Sequence, residues 1–210
     1  MVKYADASTS AEMQARAGLI YRDLIWITAK NRTTGAPQSI GLWTGDDTSD
    51  INVISGATGA PATRTYYGAA GNMKIPSIPL VTDLSVRTIS VIFGQLHPSI
   101  VLAVRGYDVR NAPVEIHRIY LNRDTRNPIA PALSRFLGFV NSAPIETPKA
   151  GETGSITLNL VSHTRSLTKK GTAKKSDESQ RLRSGDRFYK YTDVAGQWEI
   201  SWGENKGPIG

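Results

Sequence analysis

Between Asn31 and Gly71 the chain never runs far before a glycine or proline interrupts it. Gly35-Ala36-Pro37, Gly45, Gly56, Gly59-Ala60-Pro61 and the Gly68–Gly71 stretch cut it into pieces such as Ile40–Trp43, Ile51–Ile54 and Thr63–Tyr67. Pieces this short cannot hold a helix of ordinary length, and their β-branched and aromatic content suits strands. Short strands between closely spaced turn signals lead to an antiparallel sheet or barrel.

The flanking sequence agrees. Leu19–Ala29 would place Leu24, Trp26 and Thr28 on one strand face and Ile25 and Ile27 on the other, and a strand apolar on both faces is a buried one. Leu84–Phe93, Ala112–Leu121 and Arg135–Val140 read as further strands. In Ser155–Ser162 the alternation turns Ile156, Leu158 and Leu160 inward. Two short helices are predicted. The first starts at Thr9, which with Glu12 makes an S/T-x-x-E capping pair, and stops at Gly18. The second opens at His97-Pro98-Ser99 and ends at Gly106. The fold class is therefore mainly β, an antiparallel barrel- or sandwich-like body with two short helices and an irregular basic C-terminal excursion. Three parts are expected: a β-rich core over 1–162, a basic irregular segment over 163–190, and a terminal aromatic strand and tail over 191–210.

The chain's 210 residues suffice for one substantial core, and 40% hydrophobic with 20% charged residues is ordinary globular composition. It has no cysteine, which removes disulfides, thiolate zinc, iron–sulfur ligation and cysteine nucleophiles. MVKYADASTSAEMQ at the start has no apolar signal core, and no run is long enough to span a bilayer, so synthesis and folding in the cytoplasm are expected.

Chemistry-bearing motifs are sparse. His97, His117 and His163 are too far apart in sequence for a local metal motif; His97 reads as a helix-start residue and His117 as a strand surface residue. Ser166 and Lys169 match S-x-x-K, a serine–lysine spacing used by some hydrolases, but in a lysine-rich loop a chance match is the simpler reading. Asp46, Asp47 and Asp50 could gather a hard cation, yet they lack the glycine and terminal glutamate of a calcium loop and fit a solvated turn better. Asn31-Arg32-Thr33 fits a glycosylation pattern that needs a secretory route. No catalytic, metal-binding or cofactor-binding residue is assigned, and the chain is expected not to be an enzyme.

Charge is the one strong compositional signal. Residues 163–190 carry nine cations against three acids, which accounts for six of the chain's formal +7. Lys169, Lys170, Lys174, Lys175, Arg181, Arg183 and Arg187 are the candidate interaction residues. With few apolar side chains, 168–184 is expected to stay unordered until it meets a partner. Just beyond, Trp198, Ile200 and Trp202 fall at period two, and these three large apolar groups on one face are expected to anchor a terminal strand.

Several phrases together resemble a family of tail-tip hub proteins of tailed phages and phage-derived gene transfer agents. They are IGLWTGDD at Ile40–Asp47, RTYYGAAGNMKIPSI at Arg64–Ile78, VRTISVIF at Val86–Phe93, VRGYDVRNAPVEIHRIYL at Val104–Leu121 and the ending SQRLRSGDRFYKYTDVAGQWEISWG at Ser179–Gly203. The likeness spans roughly Leu24 to Gly203. It implies a structural virion protein: a β-rich hub ring, expected to be a homotrimer, that closes the distal end of the tail tube. Its neighbours would be the distal tail protein above, a central tip or second hub protein below, and the end of the tape-measure protein in the lumen. DNA would meet it only in transit, and no membrane is implied for its mature role. Some such hubs bind an iron–sulfur centre through a C-terminal cysteine cluster. This chain has no cysteine, so that cofactor is not carried over. The rival reading, from another class, is a cytoplasmic nucleic-acid-binding β-barrel that uses the basic loop on phosphates.

Overall fold

The computed structural model describes residues 6–16, 18–69, 72–79, 84–94, 106–146, 149, 154–168, 170–171 and 174–197. The chain separates into two compact units, Met1–Thr168 and Lys169–Gly210. The first is mainly β. After a helix, α1 (Ala7–Gln14), come the strands β1 (Ile20–Asn31), β2 (Pro37–Trp43), β3 (Ser49–Ile54), β4 (Pro61–Gly68) and the two-residue β5 (Met73–Lys74). They are followed by β6 (Thr88–Phe93), β7 (Tyr107–Asp108), β8 (Pro113–Leu121), β9 (Leu133–Ser142), β10 (Ile145–Glu146) and β11 (Ser155–Ser162). A four-residue helical turn, α2 (Arg165–Thr168), ends the unit.

All eleven strands join one sheet with the order β3-β4-β2-β1-β8-β9-β11-β6-β5, while β7 pairs with β1 and β10 with β11. The pairing is antiparallel except where β2 meets β4 side by side, Leu42 opposite Tyr67 and Trp43 opposite Gly68. That parallel contact arises because the β3–β4 hairpin folds back beside β2, and it makes the sheet mixed.

The centre of the sheet is the β1–β8 pair, in register from Ile20 opposite Leu121 to Ile27 opposite Val114. Ile25 and Ile27 of β1, with Val114 and Ile116 of β8, face Val91 and Phe93 of β6, Val140 of β9 and Ile156, Leu158 and Leu160 of β11. On the other face, Leu24 of β1 and Ile119 and Leu121 of β8 pack with Ile51, Val53, Tyr66 and Ala132, and Trp26 and Trp43 lie at the margin. The alternation of β1 thus feeds two cores, one on each side. For β6 and β11 to cover one face of this wall while β3 and β4 cover the other, the sheet must curl in opposite senses at its two ends. Each fully buried Leu or Ile on the wall contributes roughly 1.5–3 kcal/mol.

The sheet does not close into a barrel, which corrects that part of the sequence expectation. The curl around the second core returns β3 to the start of β9, but there it makes only an isolated bridge, Val53 opposite Ala132. The bridge is made by Ile54 N–H to the Ala132 carbonyl at 2.9 Å and Ala132 N–H to the Asn52 carbonyl at 2.8 Å. Two bonds form a seam, not a ladder. The opposite end of the sheet stops at β5.

The first helix forms, but its cap lies elsewhere. Asp6 is the N-cap, its carboxylate accepting from Ser8 N–H at 3.1 Å and Thr9 N–H at 3.3 Å. Thr9 instead sits inside the helix and is buried. An aspartate one turn upstream outcompetes a threonine for the cap, so the Thr9–Glu12 pairing is not used. The second predicted helix falls on 97–105, outside the described residues.

A packing prediction follows from β2. Gly41 lies opposite Trp26, and a Cβ there would stand 2.7 Å from the Thr65 carbonyl oxygen and 2.8 Å from ring carbons of Trp26 and Tyr66. Two of these neighbours are the aromatic rings above the second core, and the third is backbone. Gly41→Ala should therefore cost about 1–3 kcal/mol, seen as a lower urea midpoint with an unchanged slope. A wild-type midpoint would mean that β2 and β4 can move apart freely.

Candidate functional site

The basic unit is described from 170 to 197 apart from 172–173. It is more ordered than its composition suggests. Ser176 caps a short helix, α3 (Asp177–Arg181), by accepting from Ser179 N–H at 3.3 Å, with Asp177 and Glu178 in the first turn and Arg181 in the last. Arg187 reaches back to Asp177 with Nη2 at 2.6 Å from Oδ2, and Gln180 donates to Asp186 at 2.5 Å. The hydrogen bond from Arg187 holds the Asp177 carboxyl below the usual range, and that from Gln180 does the same for Asp186. These links tie Asp177, Gln180, Asp186 and Arg187 together, a local arrangement that the expectation of an unordered 168–184 did not include.

That use of the acids sorts the cations. Arg181 pairs with Glu178 at 3.0 Å and Arg187 with Asp177. Among the described residues Lys170, Lys174, Lys175, Arg183 and Lys190 form no ion pair. Lys169 lies outside the described residues. Beside these cations Phe188 is 81% exposed and Tyr191 55% exposed. Phe188 meets Tyr189 edge-on at 5.3 Å between centroids, and the Lys190 ammonium stands 4.9 Å from the centre of the Tyr191 ring.

Where a terminal strand was expected to begin, Tyr191–Val194 forms turns and Ala195–Gln197 a single 3-10 turn. The Tyr191 carbonyl accepts from both Val194 N–H at 3.2 Å and Ala195 N–H at 2.9 Å, which winds this stretch instead of extending it. Trp198, Ile200 and Trp202, the proposed anchors, lie outside the described residues.

Among the other sequence candidates, Ser166 of α2 donates to the His163 carbonyl just before the helix at 2.8 Å. Asp46 and Asp47 are exposed in the turn before β3, and Asp50 accepts from the Thr65 hydroxyl at 2.6 Å. No group of three or more His, Asp or Glu among the described residues is placed to hold a metal ion. None of the described helices is long and apolar enough to cross a membrane. His163 stacks on Phe139 at 5.2 Å.

His117 is the clear misreading. It was expected on a strand surface and is fully buried. It belongs to a polar cluster on the second-core side of β8, centred on Glu115. The Glu115 carboxylate accepts from both terminal nitrogens of Arg64 on β4, at 3.2 and 3.3 Å. It also accepts from Gly56 N–H at 2.9 Å and the Ser55 hydroxyl at 3.2 Å. His117 Nε2 stands 3.0 Å from the Ile54 carbonyl and 3.3 Å from Glu115. Arg64 in turn lies over the Trp26 ring at 4.9 Å. These partners sit at the end of β3, in the turn after it, on β4 and on β1, so β8 clamps the β3–β4 hairpin beside the Val53–Ala132 seam.

Burial pushes the Glu115 pKa up, but the hydrogen bonds from Arg64 and Gly56 and the Arg64 charge outweigh burial and hold it below the usual value. Burial pushes His117 down, against the attraction of Glu115. Its ring is therefore neutral with the proton on Nε2, which donates to Ile54. Nδ1 has no partner among the described residues, and a protonated ring would bury a second N–H with no acceptor there. Burial lifts the nearby Tyr66 hydroxyl to about 12. Since donors already surround both oxygens of Glu115, the carboxylate is suited to hold the fold and not to act as a base. The sequence did carry a signal: Glu115 and His117 share the period-two face of Ile119 and Leu121, so polar groups stand where a buried face was due.

The clamp sets the acid stability. Unfolded His117 binds a proton near pH 6.5 while the folded ring resists it, so stability falls as pH drops below about 6.5. Glu115 contributes stability above its unfolded value of about 4.3, which is lost as pH falls through its lower folded value. His117→Gln, which keeps a donor for Ile54, should flatten the loss between about pH 6.5 and 5 in urea midpoints. Glu115→Ala, which strands a buried guanidinium, should cost about 3–5 kcal/mol at neutral pH. An acid profile unchanged by His117→Gln would contradict the neutral buried ring.

Compared with known proteins, the chain matches no family model, and no curated protein matches it significantly.

Proposed function

We propose that this chain is a structural subunit that self-assembles through the open end of its sheet, as a hub ring at the tip of a phage-like tail. The observation that carries the proposal is the state of β6. Its inner side pairs with β11, from Ile156 opposite Phe93 to Val161 opposite Thr88. Among the described residues its outer side pairs with β5 alone, at Phe93 and Ile92. Farther along, Thr88–Ser90 faces Pro76–Pro79 across an open groove of about 460 Å³. On the outward face beside this edge Ile92 and Val86 are more than a third exposed and Leu84 is 77% exposed. A strand edge paired over only two described residues and flanked by exposed apolar side chains is the kind of surface that a neighbouring subunit covers.

The resemblance of VRTISVIF and the other phrases to tail-tip hubs supplies the identity of the assembly. In that reading the ring is a homotrimer between the distal tail protein and a central tip protein, with the tape-measure end in its lumen, in a virion put together in the host cytoplasm. The subunit performs no catalysis. The C-terminal unit, with cations that its own acids do not neutralise, offers a second contact to an anionic neighbour.

Sedimentation velocity tests the proposal. The full chain should sediment as a trimer at micromolar concentration, and Val86→Lys with Ile92→Lys should give folded monomers, since both side chains are exposed and their replacement leaves the core intact. A full chain that stays monomeric at high micromolar concentration, or a charged variant that still forms trimers, would overturn the assembly surface. Locating the chain away from the tail tip in images of assembled particles would overturn the hub assignment.

A further inference from the structure

We infer that the C-terminal unit binds single-stranded nucleic acid, using its unpaired cations on phosphates and its exposed rings on bases. This extends the anionic contact proposed above to a definite partner chemistry and does not depend on the hub position.

Three observations lead there. Asp177 and Glu178 are held by Arg187 and Arg181, and Asp186 accepts from Gln180 and from Phe188 N–H at 3.0 Å. Asp193 is the remaining carboxylate among the unit's described residues. Lys170, Lys174, Lys175, Arg183 and Lys190 form no ion pair among the described residues, and they outnumber the two carboxylates without one, Asp186 and Asp193, so the unit keeps a surplus of positive charge. Secondly, Phe188 and Tyr191 are left largely in water, 81% and 55% exposed, although aromatic rings contribute most when buried. Thirdly, charge and ring are interleaved, not separated. Arg187 and Lys190 bracket Phe188 and Tyr189, and the Lys190 ammonium lies over Tyr191.

The partner follows from asking what would use both features. An acidic protein surface would satisfy the cations and leave the rings wet. An apolar groove would cover the rings and strand the cations. Duplex DNA offers phosphates but keeps its bases stacked away. An unpaired strand offers a phosphate and a base face at every step, and binders of single strands combine the two in this way. The five cations sit on turns and irregular backbone, outside any helix or strand, so the contact would be indifferent to sequence, because base-edge readout needs a rigid element in a groove.

Fluorescence anisotropy with the full chain and a labelled oligothymidylate of about 20 nucleotides tests this. Binding should weaken with salt, with a log–log slope of about −3 to −4 if all five cations engage phosphates at about 0.7 each. Phe188→Ala and Tyr191→Ala should each weaken binding by roughly fivefold to a hundredfold. Lys174→Glu with Lys175→Glu should weaken it further and flatten the slope. A duplex of the same length should bind less tightly, and polyglutamate should compete poorly. Absence of binding at low salt would overturn the inference. So would affinity unchanged by removing the rings, equal affinity for duplex, or polyglutamate competing as well as the oligonucleotide, the last pointing to an acidic protein. All these side chains are exposed, so each variant should keep the wild-type unfolding midpoint. Sedimentation of the same variants reports on assembly separately, which lets the two proposals fail independently.

Discussion

Everything in the β unit depends on β1 and β8 being buried on both faces. Ordinary antiparallel strands spend one face on water, but here Leu24 and Ile25, adjacent in sequence, are both fully buried on opposite sides. A wall of this kind cannot be stable alone, because it needs cover twice. The cover comes from both directions along the sheet, with β3 and β4 on one side and β6 and β11 on the other. The open, doubly curled sheet is the consequence: closing either end into a complete barrel would need strands that the other side uses.

The two covers are held differently. On the β6–β11 side the contacts are apolar, and the outward face carries a ladder of side-chain hydrogen bonds from Ser90 to Asn159 at 2.8 Å and Asn159 to Ser142 at 3.0 Å. On the β3–β4 side the apolar cluster is smaller and is completed by the Arg64–Glu115–His117 clamp. Buried charge adds little net stability compared with a well-packed apolar core, but losing one partner costs a good deal. Its value here is register. The Glu115 carboxylate fits donors from Ser55, Gly56 and Arg64 only when the hairpin sits at one position against β8. A second ion pair, Arg118 with Asp23 at 2.7 Å, fixes the β1–β8 register itself, with Arg118 also over the Tyr21 ring at 4.1 Å.

Much of this fold was legible in the sequence. Gly/Pro punctuation located β2, β3 and β4, and two-sided hydrophobicity marked β1 as central. Ser155–Ser162 matched β11 in its bounds, and Ile156, Leu158 and Leu160 are buried as the alternation required, with Val161 buried as well. What was not legible depended on contacts distant along the chain. The parallel β2–β4 pairing and the open seam follow from how the hairpin folds back. Glu115 meets Arg64 across 51 residues and Gly56 across 59, and His117 meets the Ile54 carbonyl across 63, so His117 on its strand read as a surface residue. In the basic segment composition was informative about charge but not about order, because Asp177 and Asp186 act on residues ten and six positions away. The period-two aromatics Trp198, Ile200 and Trp202 remain a sequence argument.

The two units divide the chain's physical character between them. Among the described residues, one holds the buried apolar side chains and an open sheet end, and the other holds a surplus of cations and exposed rings. The central claim is that β1 and β8 form a shared wall on which both covers depend. Native-state hydrogen exchange resolved by residue tests it most directly. The account predicts that paired amides of β1 and β8 exchange slowest and only through global unfolding, with β3–β4 and β6–β11 opening at equal or lower free energy. Faster exchange in β1 and β8 than in either flanking group would contradict it, because one cover would then persist without the wall.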